Sequence, residues 1–530
     1  MRREINRDSP YFPAGYADHR KIGTVPIYLL LVVAWLLPGL VGHDPWKPDE
    51  AYTFGLVYHI RETGDWLVPT LAGEPFVEKP PLFFWTAALL SYPFGWLMPM
   101  HDAARLATAF YVALTLIFVA LSARRLYGGS AAWSAALLLG ASLGYLQQAH
   151  QLITDNALLA GTAVGIYGLA RRSGWIIGTG AGVAFLSKGL LGPGLLVLTA
   201  AALVAFRDWR DSWHEWPRAL AAFAPWALIW PWLLYRHSPA LFHEWFWVNN
   251  FGRFTGEAGL GGVLDHAHYA KALAWFALPA WPLAAWTVWR YRLRAAALQL
   301  PLAAFIVMFV VLSAASSART LYGLPLLVPL TLLAVAGLDI APRWLTRSLE
   351  VIAVWASAVL GAALWAAWIA FMAGWRPHAL EAQAPGFVAH LSAVMLIAAL
   401  ALSALWIYAL RLQPKLAVRW LAGVMLVWGL AMTLWLPWLD YAKSYRGVID
   451  AMQSVRTQQP GCVATRNLTE PQRAMFDYHA GIRAPSGPDC PWLLMHTGNA
   501  QPPPPGDGWK LAWRGTRPGD TKEFFWLFSR

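Results

Sequence analysis

The chain has 530 residues, of which 58% are hydrophobic and only 13% are charged, and it contains 33 tryptophans. This composition excludes a soluble globular protein and indicates a polytopic membrane protein with tryptophan rings at both membrane–water interfaces. The formal charge of +12 is dispersed over short loops, which favours membrane topology and anionic lipid, and not nucleic acid, as its cause.

Apolar segments predict thirteen membrane helices. Some of them are short for a hydrocarbon layer of about 30 Å, so the number could change by one or two. The predicted spans are residues 25–42, 104–123, 131–148, 156–170, 175–187, 190–206, 218–234, 269–289, 298–314, 322–340, 349–371, 388–410 and 417–436.

Basic residues predict how these spans are oriented. From the N-terminus onwards alternate loops are basic, for example at Arg124-Arg125 and Arg171-Arg172, and the positive-inside rule assigns such loops to the cytoplasm. The apolar stretch 81–98 would reverse all later loops if it crossed the membrane. We therefore predict interfacial helices at 81–98 and 52–63. The first segment has no cleavage site after it and is expected to remain as an anchor.

The first outer loop carries two constrained charged pairs. Asp49-Glu50 follows Pro48, and Glu78-Lys79 precedes Pro80, so both pairs lie on stiff backbone. Charges at the membrane boundary often face a cavity and take part in chemistry. An amphipathic surface loop is the alternative, and the constrained backbone tilts an otherwise even balance towards a functional role.

Five more candidates fall on the same predicted side of the membrane. Asp155 lies near the start of the fourth span, Lys188 lies between two short spans, and Arg253 lies in an aromatic loop. Arg319 and Tyr322 precede the tenth span. A helix cap at Asp155 and interfacial anchoring of the basic residues are the alternatives.

The long outer loop, residues 235–268, is rich in histidine. Its candidate metal ligands lack a tight ligand spacing, so no cofactor is assigned and a divalent metal stays open. These ligands are His237, His243, Asp265, His266 and His268.

The composition becomes polar after residue 436, which predicts a transmembrane domain, 1–436, and a small extracytoplasmic α/β domain, 437–530. Strands are expected at 461–464, 492–495 and 524–528, with a helix at 470–479. Cys462 and Cys490 are the only cysteines, and outside the cytoplasm they are expected to form a disulfide; two free thiols are the alternative. We interpret the tail as a passive cap.

Several motifs, those of the first periplasmic loop among them, resemble bacterial GT-C glycosyltransferases, above all the lipid A aminoarabinose transferase and the protein-mannosyltransferase superfamily. The resemblance covers most of residues 25–340. It rests on Asp49-Glu50, Gly64-Asp65-Trp66, Phe76-Val77-Glu78-Lys79-Pro80-Pro81-Leu82, Thr154-Asp155, Ser187-Lys188-Gly189, and Arg319 followed by Tyr322 and Pro325.

The chain departs from these relatives at two points. Relatives commonly read Asp-Glu-x-Arg-Tyr where this chain reads Asp49-Glu50-Ala51-Tyr52-Thr53, and they carry histidine where it has Asn249 or Asn250. The missing arginine leaves open which residues bind the sugar donor and which bind the acceptor. The asparagine in place of histidine weakens the case for a metal site at that position.

The resemblance implies an all-α GT-C fold and inverting transfer of a sugar from a polyprenyl-phosphate carrier. The acceptor would be lipid A, another lipopolysaccharide part, a cell-envelope glycan or a protein. Asp49 would be the base, assisted by Glu50 or Asp155. Cations would stabilise the leaving phosphate, which needs no general acid because its second pKa is about 6. The remaining binding residues would be Glu78, Lys79, Lys188, Arg253, Arg319 and Tyr322.

This interpretation places the protein in the bacterial inner membrane as a monomer, with its active site facing the periplasm and with membrane lipids and no nucleic acid as partners. A transporter or flippase of a lipid-linked anion is the alternative, and it predicts internal repeats and charges near mid-bilayer. No clear repeat is visible, and the charges lie near one interface. A scaffold protein would leave the paired carboxylates unexplained.

Overall fold

The computed structural model describes residues 25–252, 255, 265–291, 295–315, 318–412, 415–456, 461–484 and 490–530. In the first half of the chain the α-helices are Val25–Leu36, Asp49–Thr63, Leu82–Phe94, Met100–Tyr127, Ala131–Gly140, Leu143–Leu146, Asp155–Arg171, Gly174–Lys188, Leu191–Leu203, Trp216–His237 and Pro239–His243. In the second half they are His268–Phe276, Ala280–Tyr291, Ala296–Ala314, Leu324–Gly337, Arg343–Met372, His378–Gln383, Ala393–Leu412, Leu416–Leu434, Leu436–Lys443, Arg446–Arg456 and Glu470–Ala480.

Shorter helical pieces join these elements. Glu244–Gly252 is a π-helix, and 3₁₀ turns occupy Gln148–His150, Arg207–Glu215 and Thr320–Gly323. Both His268–Phe276 and Ala280–Tyr291 are short because the chain bends by 108° between them, at a position where Pro279 cannot donate a helical hydrogen bond.

Each of the predicted spans contains a helix or a pair of helices, but not all of them are long. In the described part of the chain six helices are long and apolar enough to cross a membrane, or seven if the bent pair is one span. The number of thirteen therefore stays a prediction. The six are Met100–Tyr127, Ala296–Ala314, Thr320–Gly337, Arg343–Met372, Ala393–Leu412 and Leu416–Leu434.

The two predicted interfacial helices are present as Asp49–Thr63 and Leu82–Phe94. The first begins directly after Pro48 with two acidic residues in its first turn, which suits the positive end of a helix, and it ends at Gly64 in the left-handed conformation. Between the helices a short hairpin pairs Thr70–Leu71 with Glu74–Pro75.

The tail contains a four-stranded sheet in the order Val463–Arg466, Trp492–Thr497, Phe524–Ser529, Lys510–Gly515. The first two strands are parallel, with Val463 opposite Trp492, and the other pairs are antiparallel. Cys462 and Cys490 precede these parallel strands and form the predicted disulfide, with Cα atoms 5.0 Å apart.

One face of this sheet, with the tail helices, shares a core with the interfacial helices. Met475 and Phe476 pack in the same buried cluster as Phe54 and Leu71. The hairpin also touches the tail: a Cβ at Gly73 would lie 1.8 Å from the Ala484 carbonyl oxygen, and φ there is +89°, so only glycine fits. The tail is therefore packed firmly against the first outer loop.

Candidate functional site

Seven of the predicted site residues come together where the first outer loop meets the ends of the membrane helices. They lie at or shortly before or after helix ends, because a helix that crosses lipid carries apolar side chains and leaves polar ones where the chain emerges. These residues are Asp49, Glu78, Lys79, Asp155, Lys188, Arg319 and Tyr322.

Asp49 is held by two donors. Its Oδ1 accepts a hydrogen bond from the Tyr52 hydroxyl at 3.0 Å, and its Oδ2 lies 3.3 Å from Nη2 of Arg319. The Asp49 side chain is 17% exposed and that of Arg319 is 51% exposed. The carboxylate is thus oriented but still reachable, which is what a general base requires.

Lys79 is buried beside Tyr52 and Glu78. Its ammonium contacts the Tyr52 hydroxyl and lies 3.9 Å from Oε1 of Glu78. Burial disfavours the charged form, but the Tyr52 oxygen, which accepts a hydrogen bond from the ammonium, and the surrounding carboxylates outweigh it, so the pKa of Lys79 is raised. Burial also raises the pKa of Tyr52. The site therefore keeps a cation next to a protonated phenol at neutral pH.

Lys188 and Asp155 form the second charged pair. Asp155 directly follows the N-cap position, Thr154, and its Oδ1 contacts the Lys188 ammonium. The same ammonium lies 4.3 Å from the centre of the Tyr322 ring, and the Arg319 guanidinium lies 5.8 Å from it, so this ring is close to both cations. Asp155 is therefore occupied as the partner of a lysine and does not cap its helix.

Gly189 fixes the end of the helix that carries Lys188. Its φ is +76°, and a Cβ there would lie 2.0 Å from Oδ1 of Asn250, so only glycine fits. Asn250 accepts from the Leu190 backbone N–H at 3.0 Å and donates to the Trp245 carbonyl at 2.8 Å. This amide holds the turn after Lys188 against the aromatic segment.

A cavity of about 320 Å³ opens next to these groups. One end is polar, and the other is apolar and formed by helices Leu191–Leu203 and Ala296–Ala314. Asp49, Asp155 and Arg319 are not among its lining residues; they contact residues that line it, or Tyr52. The polar lining includes Glu78, Lys79, Lys188, Asn249, Asn250 and Tyr322, and the apolar lining includes Leu191, Leu195, Leu198, Val311 and Leu312.

Glu50 does not face this cavity, contrary to the catalytic role predicted for it. Its side chain is 1% exposed; Oε1 accepts from Nε of Arg105 at 2.8 Å and from the Leu152 N–H at 3.2 Å, and Oε2 accepts from the Trp46 N–H at 3.1 Å. Burial opposes ionisation, but Arg105 lowers the pKa of Glu50 to about 2. The contacts of this carboxylate are therefore those of a buried structural ion pair.

Arg105 was not predicted as a site residue. It is fully buried and donates to Asp102 Oδ1 at 2.6 Å and to the carbonyls of His43 and Asp44 at 2.8 and 3.1 Å. The available signal was the Asp102–Arg105 spacing at the start of an apolar segment, since two charges three residues apart share one helix face.

The tail holds the residues that precede Asp49. The Arg446 guanidinium donates hydrogen bonds to both carboxylate oxygens of Asp44, at 2.6 and 3.0 Å. Asp440 accepts a hydrogen bond from the Trp46 indole N–H at 2.9 Å. Lys47 lies 2.9 Å from Glu523 and 3.4 Å from Asp520. These partners lie about 400 positions or more away in the chain, so no local sequence pattern indicates them.

Two further predictions concern Arg253 and the candidate metal ligands. Arg253 lies outside the described residues. Of the candidate metal ligands, His266 contacts the Ser313 carbonyl, and His268 lies 3.3 Å from the Thr320 hydroxyl. Over the described ranges no three His, Cys, Asp or Glu side chains are arranged to hold a metal ion.

The sequence is similar to known glycosyltransferases over part of its length. A family model described as dolichyl-phosphate-mannose-protein mannosyltransferase matches residues 78–235. The undecaprenyl phosphate-alpha-4-amino-4-deoxy-L-arabinose arabinosyl transferase of Pseudomonas savastanoi pv. phaseolicola is 28% identical over 267 residues, which are 47% of this chain and 46% of that protein. Its namesake in Pseudomonas aeruginosa strain UCBPP-PA14 is 30% identical over 248 residues, 43% and 44% of the two chains. The match thus spans about half the length of these relatives.

The fold is similar over nearly the whole chain. ArnT from Cupriavidus metallidurans, solved bound to undecaprenyl phosphate, superposes with a TM-score of 0.68 at 19% sequence identity, covering 95% of this chain and 98% of that one. The predicted resemblance to GT-C glycosyltransferases of the aminoarabinose transferase type is confirmed: the protein resembles them in sequence over about half of its length and in fold over almost all of it.

Proposed function

We propose that this protein transfers a sugar from a polyprenyl-phosphate carrier to an acceptor at the outer face of the bacterial inner membrane. The observation that carries the proposal is the cavity whose polar end holds Lys79 and Lys188 and whose other end is lined by leucine and valine. A lipid-linked phosphate has matching parts, an anion and a long hydrocarbon chain. The similarity to proteins named for undecaprenyl phosphate supports this choice of carrier.

In this proposal the donor phosphate lies between Lys79 and Lys188, and Arg319 and Tyr322 complete its surroundings. The first isoprene units run along Leu191, Leu195 and Val311. Each buried methylene would contribute about 0.8 kcal/mol to binding. Glu78 and the two asparagines, beside Lys79 at the polar end, would contact the sugar; Arg253 keeps its predicted role as a further phosphate ligand.

The leaving group is a phosphate monoester whose negative charge increases as the glycosidic bond breaks. Its second pKa is about 6, so it can depart at neutral pH without taking a proton. Lys79 is suited to stabilise it, because a buried cation of raised pKa stays charged throughout the reaction and needs no reorganisation when charge develops.

Asp49 is proposed as the base that removes the proton from an acceptor hydroxyl. Tyr52 and Arg319 hold its two oxygens, and attack from the face opposite the phosphate would invert the anomeric carbon. Asp155 instead positions Lys188, and Glu50 positions the start of the helix that carries Asp49. Lipid A, another lipopolysaccharide part, a cell-envelope glycan and a protein remain the candidate acceptors.

This function implies the topology predicted from the arginines, in which thirteen spans leave both the site and the tail, residues 437–530, in the periplasm. The transmembrane part, residues 1–436, would act as a monomer, and the tail would help to hold the first outer loop. The contacts of Asp44 and Lys47 with the tail support that role more than that of a passive cap.

The test is a donor-cleavage assay with purified protein in lipid nanodiscs, a polyprenyl-phosphoryl sugar and bacterial membrane extract as the source of acceptor. We expect free polyprenyl phosphate to be released, and Asp49→Asn to slow release about 10²–10⁴-fold, the usual contribution of a general base. The control is Asp211→Asn, at an exposed carboxylate in the turn Arg207–Glu215. Equal rates for the two variants would exclude Asp49 as the base.

A further inference from the structure

A second cavity lies at the other end of the membrane helices. Helix Leu324–Gly337 begins at the proposed active site, beside Tyr322, and leads to Arg343, so the start of helix Arg343–Met372 lies at the end away from that site. There it meets Ala393–Leu412 and Leu416–Leu434 around a cavity of about 210 Å³.

The polar wall of this cavity carries an excess of positive charge. Arg419 Nη1 lies 2.8 Å from Oε2 of Glu350, and Arg347 Nη1 lies 3.9 Å from the same oxygen. The side chain of Arg347 is 73% exposed and that of Arg419 is 20% exposed. Two guanidinium groups and one carboxylate leave one net positive charge. At 3.9 Å, Arg347 interacts only weakly with Glu350.

Arg419 also has an unused donor. Its Nε is buried and has no hydrogen-bond partner within the described part of the chain. A buried N–H without an acceptor is destabilising, because it has lost its hydrogen bond to water without replacement. An anion in the cavity would supply an acceptor and balance the net charge, and a guanidinium is the side chain best suited to bind phosphate oxygens.

The other wall is mostly apolar and partly exposed. Val351, Val354 and Trp355 follow the charged residues along the same helix, and the Trp355 side chain is 66% exposed. Apart from the indole N–H of Trp355, this wall is hydrocarbon, and a free anion would leave it uncovered. A hydrocarbon chain attached to the anion would cover it.

We propose that this cavity binds an anionic phospholipid, with its phosphate between Arg347 and Arg419 and one acyl chain along Val351, Val354 and Trp355. Basic pockets between membrane helices commonly hold such headgroups, and the nearby Arg343 and Arg411 would raise the local concentration of anionic lipid. This site does not depend on the proposed transferase function.

The test compares phosphatidylglycerol with phosphatidylcholine on the intact protein by native mass spectrometry in detergent. We expect phosphatidylglycerol to be retained in preference, and Arg347→Gln to weaken it about tenfold, the loss of one charged hydrogen bond. The Arg419–Glu350 pair stays intact in this variant. The matched control, Arg343→Gln, removes the same charge one turn earlier and does not line the cavity.

A second variant moves affinity in the opposite direction. Glu350→Gln removes the carboxylate that competes with the phosphate for both arginines, so it should bind phosphatidylglycerol several-fold more tightly. Unchanged or weaker binding would show that the three side chains form only a structural ion cluster. Equal losses in Arg347→Gln and Arg343→Gln, or displacement of the lipid by millimolar inorganic phosphate, would also overturn the proposal.

Discussion

Tyr52 connects the proposed base with the proposed donor cation. Its hydroxyl donates to Asp49 and receives a hydrogen bond from Lys79, and its high pKa keeps it protonated. It stands at the position where relatives commonly carry arginine. In this chain a guanidinium reaches Asp49 from another element, because Arg319 lies 3.3 Å from the carboxylate.

We expect Tyr52→Phe to lower kcat about 10–100-fold, because hydrogen bonds to charged groups contribute about 1.5–3 kcal/mol each. KM for the donor should change little, since Lys79 remains. Steady-state kinetics over a donor series would measure both. Tyr58→Phe is the matched control: it lies on the same helix beside Tyr478, away from the cavity. A larger effect on KM than on kcat would contradict the role of Tyr52 as an orienting residue of Asp49.

Lys79→Ala should behave differently from Asp49→Asn. It removes a cation that interacts with the donor before cleavage and more strongly with the leaving phosphate, so donor affinity and turnover should both fall. Asp49→Asn should leave donor affinity nearly unchanged. Donor binding to each variant, measured without acceptor, separates the two roles; if both variants bound donor equally well, Lys79 would not be a phosphate ligand.

Glu50→Gln should lower the stability of the folded protein and not only its catalytic rate. It removes one of the two ion pairs that the described part of the chain gives the buried Arg105 and leaves the pair with Asp102; breaking a buried ion pair costs about 3–5 kcal/mol. Asp49→Asn should leave the melting temperature nearly unchanged. Thermal unfolding in detergent compares them, and equal melting temperatures would contradict the structural role of Glu50.

The same pair predicts a pH dependence. Because the pKa of Glu50 is lowered from 4.5 to about 2 in the folded protein, its contribution to stability is present above about pH 4.5 and is lost as the pH falls towards 2. Melting temperatures of the wild type and Glu50→Gln should therefore converge over this interval. A constant difference down to pH 2.5 would rule out this linkage.

Sequence could indicate which charged residues lie close together, because they occur in short motifs beside apolar segments on one predicted side of the membrane; their roles stay predictions. It could not separate Glu50 from Asp49, because the two are adjacent and point to different environments. What distinguishes them is Arg105, whose side chain is completely buried, and burial by a residue 55 positions away is not visible in a local pattern.

At the level of elements, the first outer loop is fixed by contacts at both ends. Helices in 52–63 and 81–98 could be predicted from their composition, and their position at the membrane interface stays a prediction that rests on the alternating arginines. The break within 131–148 and the bend at Pro279 could not, since apolar composition does not show where a helix stops. The tail contacts of residues 44–47 were also hidden, because pairing across hundreds of residues has no local signal.

Lys47 provides a test of the tail's influence on the site. It pairs with Asp520 and Glu523 and is two residues before Asp49. We expect Lys47→Met to lower kcat several-fold with donor affinity unchanged, and Lys47→Arg to restore most of the rate because it keeps both ion pairs. The surface lysine Lys271, which pairs with Asp265, gives the matched control Lys271→Met. Wild-type kcat in Lys47→Met would show that the tail is a passive cap.

At the scale of the whole molecule, the proposed active site joins parts of the chain from residue 49 to residue 322. The family model covers only residues 78–235, so it contains Lys79, Asp155 and Lys188 but not Asp49 or Arg319. The fold completes the site by bringing the first outer loop, held by the tail, next to the turn before helix Leu324–Gly337.

The most direct test of the central claim follows both halves of the donor in sealed vesicles containing the purified protein. The donor carries one label in the sugar and another in the polyprenyl chain, and acceptor lipid extract is present. We predict that labelled polyprenyl phosphate and labelled sugar on a new molecule appear in equal amounts, and that Asp49→Asn and Lys79→Ala suppress both. Intact donor moved to the opposite leaflet, with the two labels still joined, would contradict the account and favour a transporter.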